Sequence, residues 1–243
     1  MNFYSDYVKG RVELFAGTGC VSYQDTLKLS VAALKCGCTP MVIGPYYFGM
    51  DQEKLFIYYD RLAKEVGGDM YLYSYPPRTG HSIEPQTIRR LVENNPNIKG
   101  MKESISEPNH SNLICRAVEA YDFTVYSGYD DQFLSNAIND GGGCIGALSI
   151  IVPELWRDLV WAYNTKAHEM TMKLFHLIQK LMPIYDMDTN CSLLMKKLLV
   201  HRGVEIDDRA VFPFNQISVD VVSKAEALLD SVLEEYYKET GRS

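Results

Sequence analysis

Short apolar runs alternate with longer amphipathic segments from Val12 to Leu148, and this alternation restricts the fold more tightly than any other feature of the chain. Val12 to Ala16 reads as a strand and Gly17-Thr18-Gly19 as a turn. Ser22 then caps a helix to about Lys35, with Leu27, Val31 and Leu34 at helical spacing. Met41 to Ile43 is a second strand, and Asp51 opens a helix that stops at Gly67-Gly68. Further strands are expected at Met70 to Tyr75, Ile98 to Lys102, Phe123 to Tyr126 and Cys144 to Leu148. The helices between them span Glu84 to Val92, Asn109 to Glu119 and Gln132 to Ile138. After Pro153 only helical patterns remain: Glu154 to Tyr163, Ala167 to Leu181, Ser192 to His201 and Val219 to Tyr237. Parallel neighbours need a crossover and the intervening helices supply it, so the pattern predicts an α/β fold with a parallel sheet followed by a helical appendix.

Composition narrows the function classes. With 243 residues, 47% hydrophobic and 23% charged, the chain can bury a sizeable core. A net charge of -7 without any basic stripe argues against nucleic-acid binding, which rests on phosphate neutralisation by clustered Lys and Arg. The six cysteines form no Cys-x-x-Cys pair and MNFYSDYVKG lacks a signal-peptide apolar core, which points to a reduced, cytoplasmic protein. The longest apolar stretch, Ala147 to Val152, is far too short for a membrane span. His81, His110, His168, His176 and His201 show no ligand spacing with the cysteines, so no metal is expected.

In a sheet of repeated βα units the loops after the strands form the functional face. Those strand ends carry Pro45-Tyr46-Tyr47, Tyr73-Ser74-Tyr75-Pro76-Pro77-Arg78-Thr79-Gly80, Lys102-Glu103-Ser104, Ser127-Gly128-Tyr129-Asp130-Asp131 and Gly146-Ala147. Strand alternation puts Ile98, Gly100 and Lys102 on one face, with Lys99, Met101 and Glu103 on the other. It also aligns Tyr71, Tyr73 and Tyr75. A lysine facing inward loses its proton more readily, and its neutral amine attacks carbonyl carbon to form a Schiff base. A lysine that merely closes a strand and snorkels to solvent would fit the same stretch. Beside an imine-forming lysine, Tyr73 could pass protons, and Arg78 could hold a carboxylate with its planar fork. Asp130 and Asp131 suit either a helix N-terminus or binding of sugar hydroxyls.

The motifs Pro45-Tyr46-Tyr47, Tyr73 to Gly80 and Gly100-Met101-Lys102-Glu103, in that order and spacing, resemble the dihydrodipicolinate synthase and N-acetylneuraminate lyase family. The resemblance implies a (β/α)8 TIM barrel in which Lys102 forms an imine with pyruvate or another 2-oxo acid and a carbon-carbon bond is then made or broken. It implies that Tyr73 transfers protons, that Tyr47 reaches into the active site of a neighbouring subunit, and that Arg78 holds the carboxylate of an incoming aldehyde. Gly128, Asp130 and Ala147 fall on the loops with which the family contacts substrate. Val12 to Ala16 corresponds to the family's third strand. The expectation is therefore a barrel N-terminally truncated to about six βα units over 1-165, lacking the Gly-Thr-Thr-Gly-Glu type loop, with a C-terminal helical region over 166-243. Ile150 stands where many lyases carry asparagine. The activity implied is that of a 4-hydroxy-tetrahydrodipicolinate synthase, condensing pyruvate with aspartate semialdehyde on the route to lysine. Cleavage of N-acetylneuraminate or of a 2-oxo-3-deoxy sugar acid is the alternative, and a non-catalytic relative is the alternative of another class. No cofactor beyond the covalent imine is implied, and the assembly implied is a homodimer or homotetramer.

Overall fold

The computed structural model describes residues 1–242, and the chain divides into two compact units, 1–145 and 146 onward. The first begins with a short helix α1 (Asn2–Val8) that buries none of its side chains. Six parallel strands follow in chain order, each hydrogen-bonded to the next: β1 (Phe15–Gly17), β2 (Thr39–Ile43), β3 (Met70–Ser74), β4 (Ile98–Glu103), β5 (Thr124–Ser127) and β6 (Gly143–Cys144). Helices α2 (Tyr23–Lys35), α3 (Gln52–Val66), α5 (Pro85–Asn94), α6 (Pro108–Val118) and α7 (Phe133–Ala137) connect them, with a single turn α4 (Pro76–Thr79) after β3.

The helix starts follow from local chemistry. The Ser22 hydroxyl accepts the Asp25 amide and Asp51 accepts the Lys54 amide at 2.8 Å, satisfying donors that α2 and α3 would otherwise leave orphaned. Pro85 and Pro108 open α5 and α6, where a missing N–H costs nothing. Gly67 ends α3 in the left-handed conformation, φ 78°.

The sheet's outer face carries the core. Val42, Met70, Leu72, Ile98, Met101 and Val125 pack with Leu55, Tyr59 and Leu62 of α3, Ile88 and Leu91 of α5, and Ile114 and Val118 of α6. Each fully buried side chain of this kind contributes about 1.5–3 kcal/mol. The membership of Ile98 corrects the simple alternation. Met70 pairs with Ile98 but Tyr71 pairs with Gly100, so Lys99 is an extra residue in β4. This bulge flips the phase, leaving Ile98 with Met101 on the helix-covered face while Gly100 and Lys102 face the other way. Lys99 turns outward and pairs with Asp122 at 2.7 Å.

Two strands are shorter than their apolar runs suggest. Val12 is 64% exposed, and β1, an edge strand, begins only at Phe15, where Thr39 offers a partner. The run Cys144 to Leu148 is split: Cys144 ends β6, and Leu148 begins a helical turn α8 (Leu148–Ile151) in the second unit. A short apolar run fits a strand or a buried helical turn equally well.

The second unit is helical: α8, α9 (Pro153–Asn164), α10 (His168–Leu181), α11 (Cys191–His201) and α12 (Val219–Thr240). Helix α9, read from the sequence as part of the barrel region ending at 165, packs here against α8 and α10. The Tyr236 hydroxyl donates to the buried Asp158 carboxylate at 2.6 Å, and Arg202 grips Glu154 through both guanidinium nitrogens. Among the described residues no helix is long and apolar enough to cross a membrane.

Candidate active site

Lys102 lies one residue before the end of β4, in a row with Tyr73 of β3 and Tyr126 of β5. Its ammonium sits over the Tyr73 ring, 4.8 Å from the centroid. Cation–π geometry of this kind holds the amine above the aromatic face. Burial pushes the Lys102 pKa down, opposed in part by the nearby Cys144 and Asp130. The direction is what a nucleophilic amine requires, because only the neutral form attacks. Burial likewise pushes the Tyr73 phenol up, with the Ser104 hydroxyl acting in the opposite sense. A phenol held protonated is a proton donor at neutral pH.

Space for these groups is set by glycine. A Cβ on Gly100 would lie 2.4 Å from the Tyr71 ring and 2.3 Å from the Thr124 carbonyl oxygen. Gly128 is equally constrained: its amide donates to the Glu103 carbonyl at 2.7 Å, and a Cβ there would meet the Ser104 hydroxyl at 1.8 Å. Phe15, Tyr71 and Tyr126 form an aromatic cluster, with Phe15 and Tyr71 edge to face at 4.8 Å.

The other sequence-predicted residues fall at differing places. Arg78 is exposed on α4, and its guanidinium is unpartnered among the described residues. Asp130 is fully buried in a 3-10 turn over Asp130–Gln132, close enough to Lys102 for its charge to favour the ammonium. Asp131 is exposed. Tyr47 is 85% exposed on the loop after β2, with φ 85° and its ring edge to face with Phe48. A positive φ on a bulky residue is strained backbone. Ala147 belongs to the second unit, where its amide donates to the Tyr185 hydroxyl at 2.8 Å.

Three residues that sequence reasoning gave no role stand in this region. Ser104 lies against both Gly128 and Tyr73. The Tyr75 ring stacks with that of Tyr73, centroids 5.9 Å apart and planes 17° apart. Glu103, next to Lys102 but on the opposite face, is 0% exposed, and burial pushes its pKa up to about 8. Its nearest cationic candidate is His110 Nδ1 at 3.7 Å, beyond hydrogen-bond reach, and burial pushes His110 down toward neutrality. A signal for Glu103 was present: a strand of a parallel sheet is covered on both faces, so the acid opposite an inward lysine must itself be enclosed.

The chain is similar to known proteins over most of its length. The model of the dihydrodipicolinate synthetase family matches residues 1–232. The chain is 29% identical over 225 residues to a probable 2-dehydro-3-deoxy-D-pentonate aldolase of Escherichia coli, covering 91% of this chain and 75% of that protein. It is 30% identical over 184 residues to the 4-hydroxy-tetrahydrodipicolinate synthase of a Hydrogenobaculum species, covering 75% of this chain and 62% of the relative. Among solved structures, YagE of Escherichia coli, a prophage protein of the same family determined in complex with pyruvate, superposes with a TM-score of 0.91. The two are 25% identical, over 95% of this chain and 78% of the other. The chain therefore belongs to the dihydrodipicolinate synthetase family, whose members are aldolases and lyases, and shares its TIM-barrel-like fold.

Proposed function

We propose that this chain is a Schiff-base aldolase of 2-oxo acids in which Lys102 is the imine former. The observation that carries the reading is the half-buried Lys102 amine over the Tyr73 ring at 4.8 Å, its pKa lowered by burial, at the end of a parallel strand. In this reaction the Lys102 amine attacks the C2 carbonyl of pyruvate and a proton supplied through Tyr73 leaves with the C2 oxygen as water. Loss of a proton from C3 of the imine gives an enamine. Its C3 carbon adds to an aldehyde, or the reverse sequence releases pyruvate from a longer 2-oxo acid. Water then cleaves the imine and restores Lys102. The unengaged guanidinium of Arg78 supports a carboxylate-bearing aldehyde such as aspartate semialdehyde, giving a dihydrodipicolinate synthase-like activity. The exposure and positive φ of Tyr47 support a homodimer or homotetramer in which that ring serves a neighbouring site.

Cleavage of a 2-dehydro-3-deoxy sugar acid is the second reading. It is favoured by the reach of the similarity, which runs over 91% of this chain with the probable pentonate aldolase but 75% with the Hydrogenobaculum synthase. Gly128 and Asp130 would then face the hydroxyl-bearing part of the substrate. Assaying pyruvate consumption with aspartate semialdehyde beside pyruvate release from 2-dehydro-3-deoxy-pentonate and -gluconate separates the two. Under the synthase reading Arg78→Ala lowers kcat/KM with the semialdehyde by roughly 10²-fold, the loss of a charge-assisted bidentate contact. Unchanged synthase activity in that variant removes Arg78 from the proposal.

A further inference from the structure

The Tyr75 backbone is held by its neighbours although the residue lies just outside a strand. Strand β3 ends at Ser74, and the chain turns into α4 at Pro76, so Tyr75 is the joint between them. Pro76 excludes the helical region for the residue before it, and Tyr75 sits at φ -143°, ψ 76°. Its carbonyl oxygen accepts two amides, Arg78 at 2.9 Å and Thr79 at 3.0 Å, and lies 3.1 Å from the Thr79 hydroxyl oxygen. Thr79 is in turn fixed, its hydroxyl lying 2.8 Å from the His81 carbonyl. From this mount the ring lies nearly parallel to that of Tyr73, and the Tyr73 ring is the one over which the Lys102 amine sits.

We propose that Tyr75 is a positioning residue of the Lys102 site, its ring holding the Tyr73 ring beneath the Lys102 amine. The inference rests on the reading of Lys102 as imine former and adds to it the part that fixes its aromatic neighbour. Tyr73 needs such a part. It must present one aromatic face to an amine that changes charge during the reaction while keeping its phenol where protons move, and a free ring would satisfy one demand at the expense of the other. Offset parallel stacking supplies an orientation without competing for the hydroxyl. The mount also ties Tyr73 to Arg78, since the Arg78 amide hangs from the Tyr75 carbonyl.

Two measurements on the full chain test this. The first is the rate at which borohydride traps pyruvate on the peptide containing Lys102. The second is the pH profile of trace acetylation of Lys102 by acetic anhydride, read by mass spectrometry. Tyr75→Ala is expected to slow trapping ~tenfold, the scale of a small misplacement, while the concentration of pyruvate giving half-maximal rate moves less than about threefold. It also shifts the acetylation profile down by about half a pH unit, because an ammonium that loses the aromatic face is less favoured. Tyr75→Phe keeps the ring and recovers most of the rate and the wild-type profile. Tyr75→Leu, which keeps apolar bulk without a ring, follows Tyr75→Ala and carries the test should the alanine variant unfold. Wild-type trapping and an unshifted profile in the alanine or leucine variant overturn the inference, as does a phenylalanine variant as impaired as alanine. If the wild-type chain traps no pyruvate, the imine reading falls, and the acetylation profiles alone decide the role of Tyr75.

Discussion

Lys102 and Glu103 are neighbours in one strand, yet they stand in opposite kinds of surroundings. Lys102 faces the row of Tyr73 and Tyr126 and stays half-open, whereas Glu103 faces the helix-covered side and is sealed. Burial drives both toward their neutral forms, the amine down and the carboxyl up to about 8. In the first case neutrality is what the proposed imine chemistry requires of the amine. In the second it only lessens the cost of a carboxyl sealed from solvent, for which the Ser74 side chain offsets burial only in part. The same physical cause thus suits the proposed chemistry on one face of the strand and burdens stability on the other.

The contrast can be broken first through the sealed face itself. Met101, fully buried in the core beside Glu103, should cost about 2–5 kcal/mol on truncation to alanine. Chemical denaturation at fixed pH reads this loss; a change below 1 kcal/mol would mean that the outer face is not the core it is taken to be.

A pH-dependent effect comes from Glu103. Its folded-state pKa of about 8 lies above the ordinary 4.5, so between those values the unfolded chain is ionised there while the folded chain keeps its proton. Stability therefore falls as pH rises through that window, by up to about 1.4 kcal/mol per pH unit, and levels off above it. Glu103→Gln preserves shape and removes the ionisation, so its denaturation midpoint should be flatter from pH 5 to 8. Equal slopes in the two proteins would show that Glu103 ionises freely in the folded state.

Much of this was legible in the residues. The caps Ser22 and Asp51 and the stop at Gly67 announced α2 and α3, and the alternation of strands and helices gave a parallel sheet in chain order. Strand ends in such a sheet gather on one face, which is how the sequence brings Lys102 and Tyr73 together, and the Lys102 amine does lie over the Tyr73 ring. Alternation misplaced Ile98, because a bulge adds a residue without a distinctive sequence, and nothing in Ile98-Lys99-Gly100 says that Lys99 is the extra one. The enclosure of Asp130 was illegible for a related reason: two adjacent acids after a glycine look like a solvated helix start, and only the 3-10 turn carries the first inward. The stack of Tyr75 on Tyr73 depends on where β3 stops, and element ends are the least legible feature of a sequence.

The central claim is that the half-open amine of β4, and not its sealed neighbour or the surface Lys99, carries the chemistry. Incubation with millimolar pyruvate and borohydride, followed by digestion and mass analysis, tests it directly. The account predicts a reduced pyruvate adduct on Lys102, lost in Lys102→Ala. An unmodified Lys102 peptide, or an adduct on Lys99 instead, would contradict it.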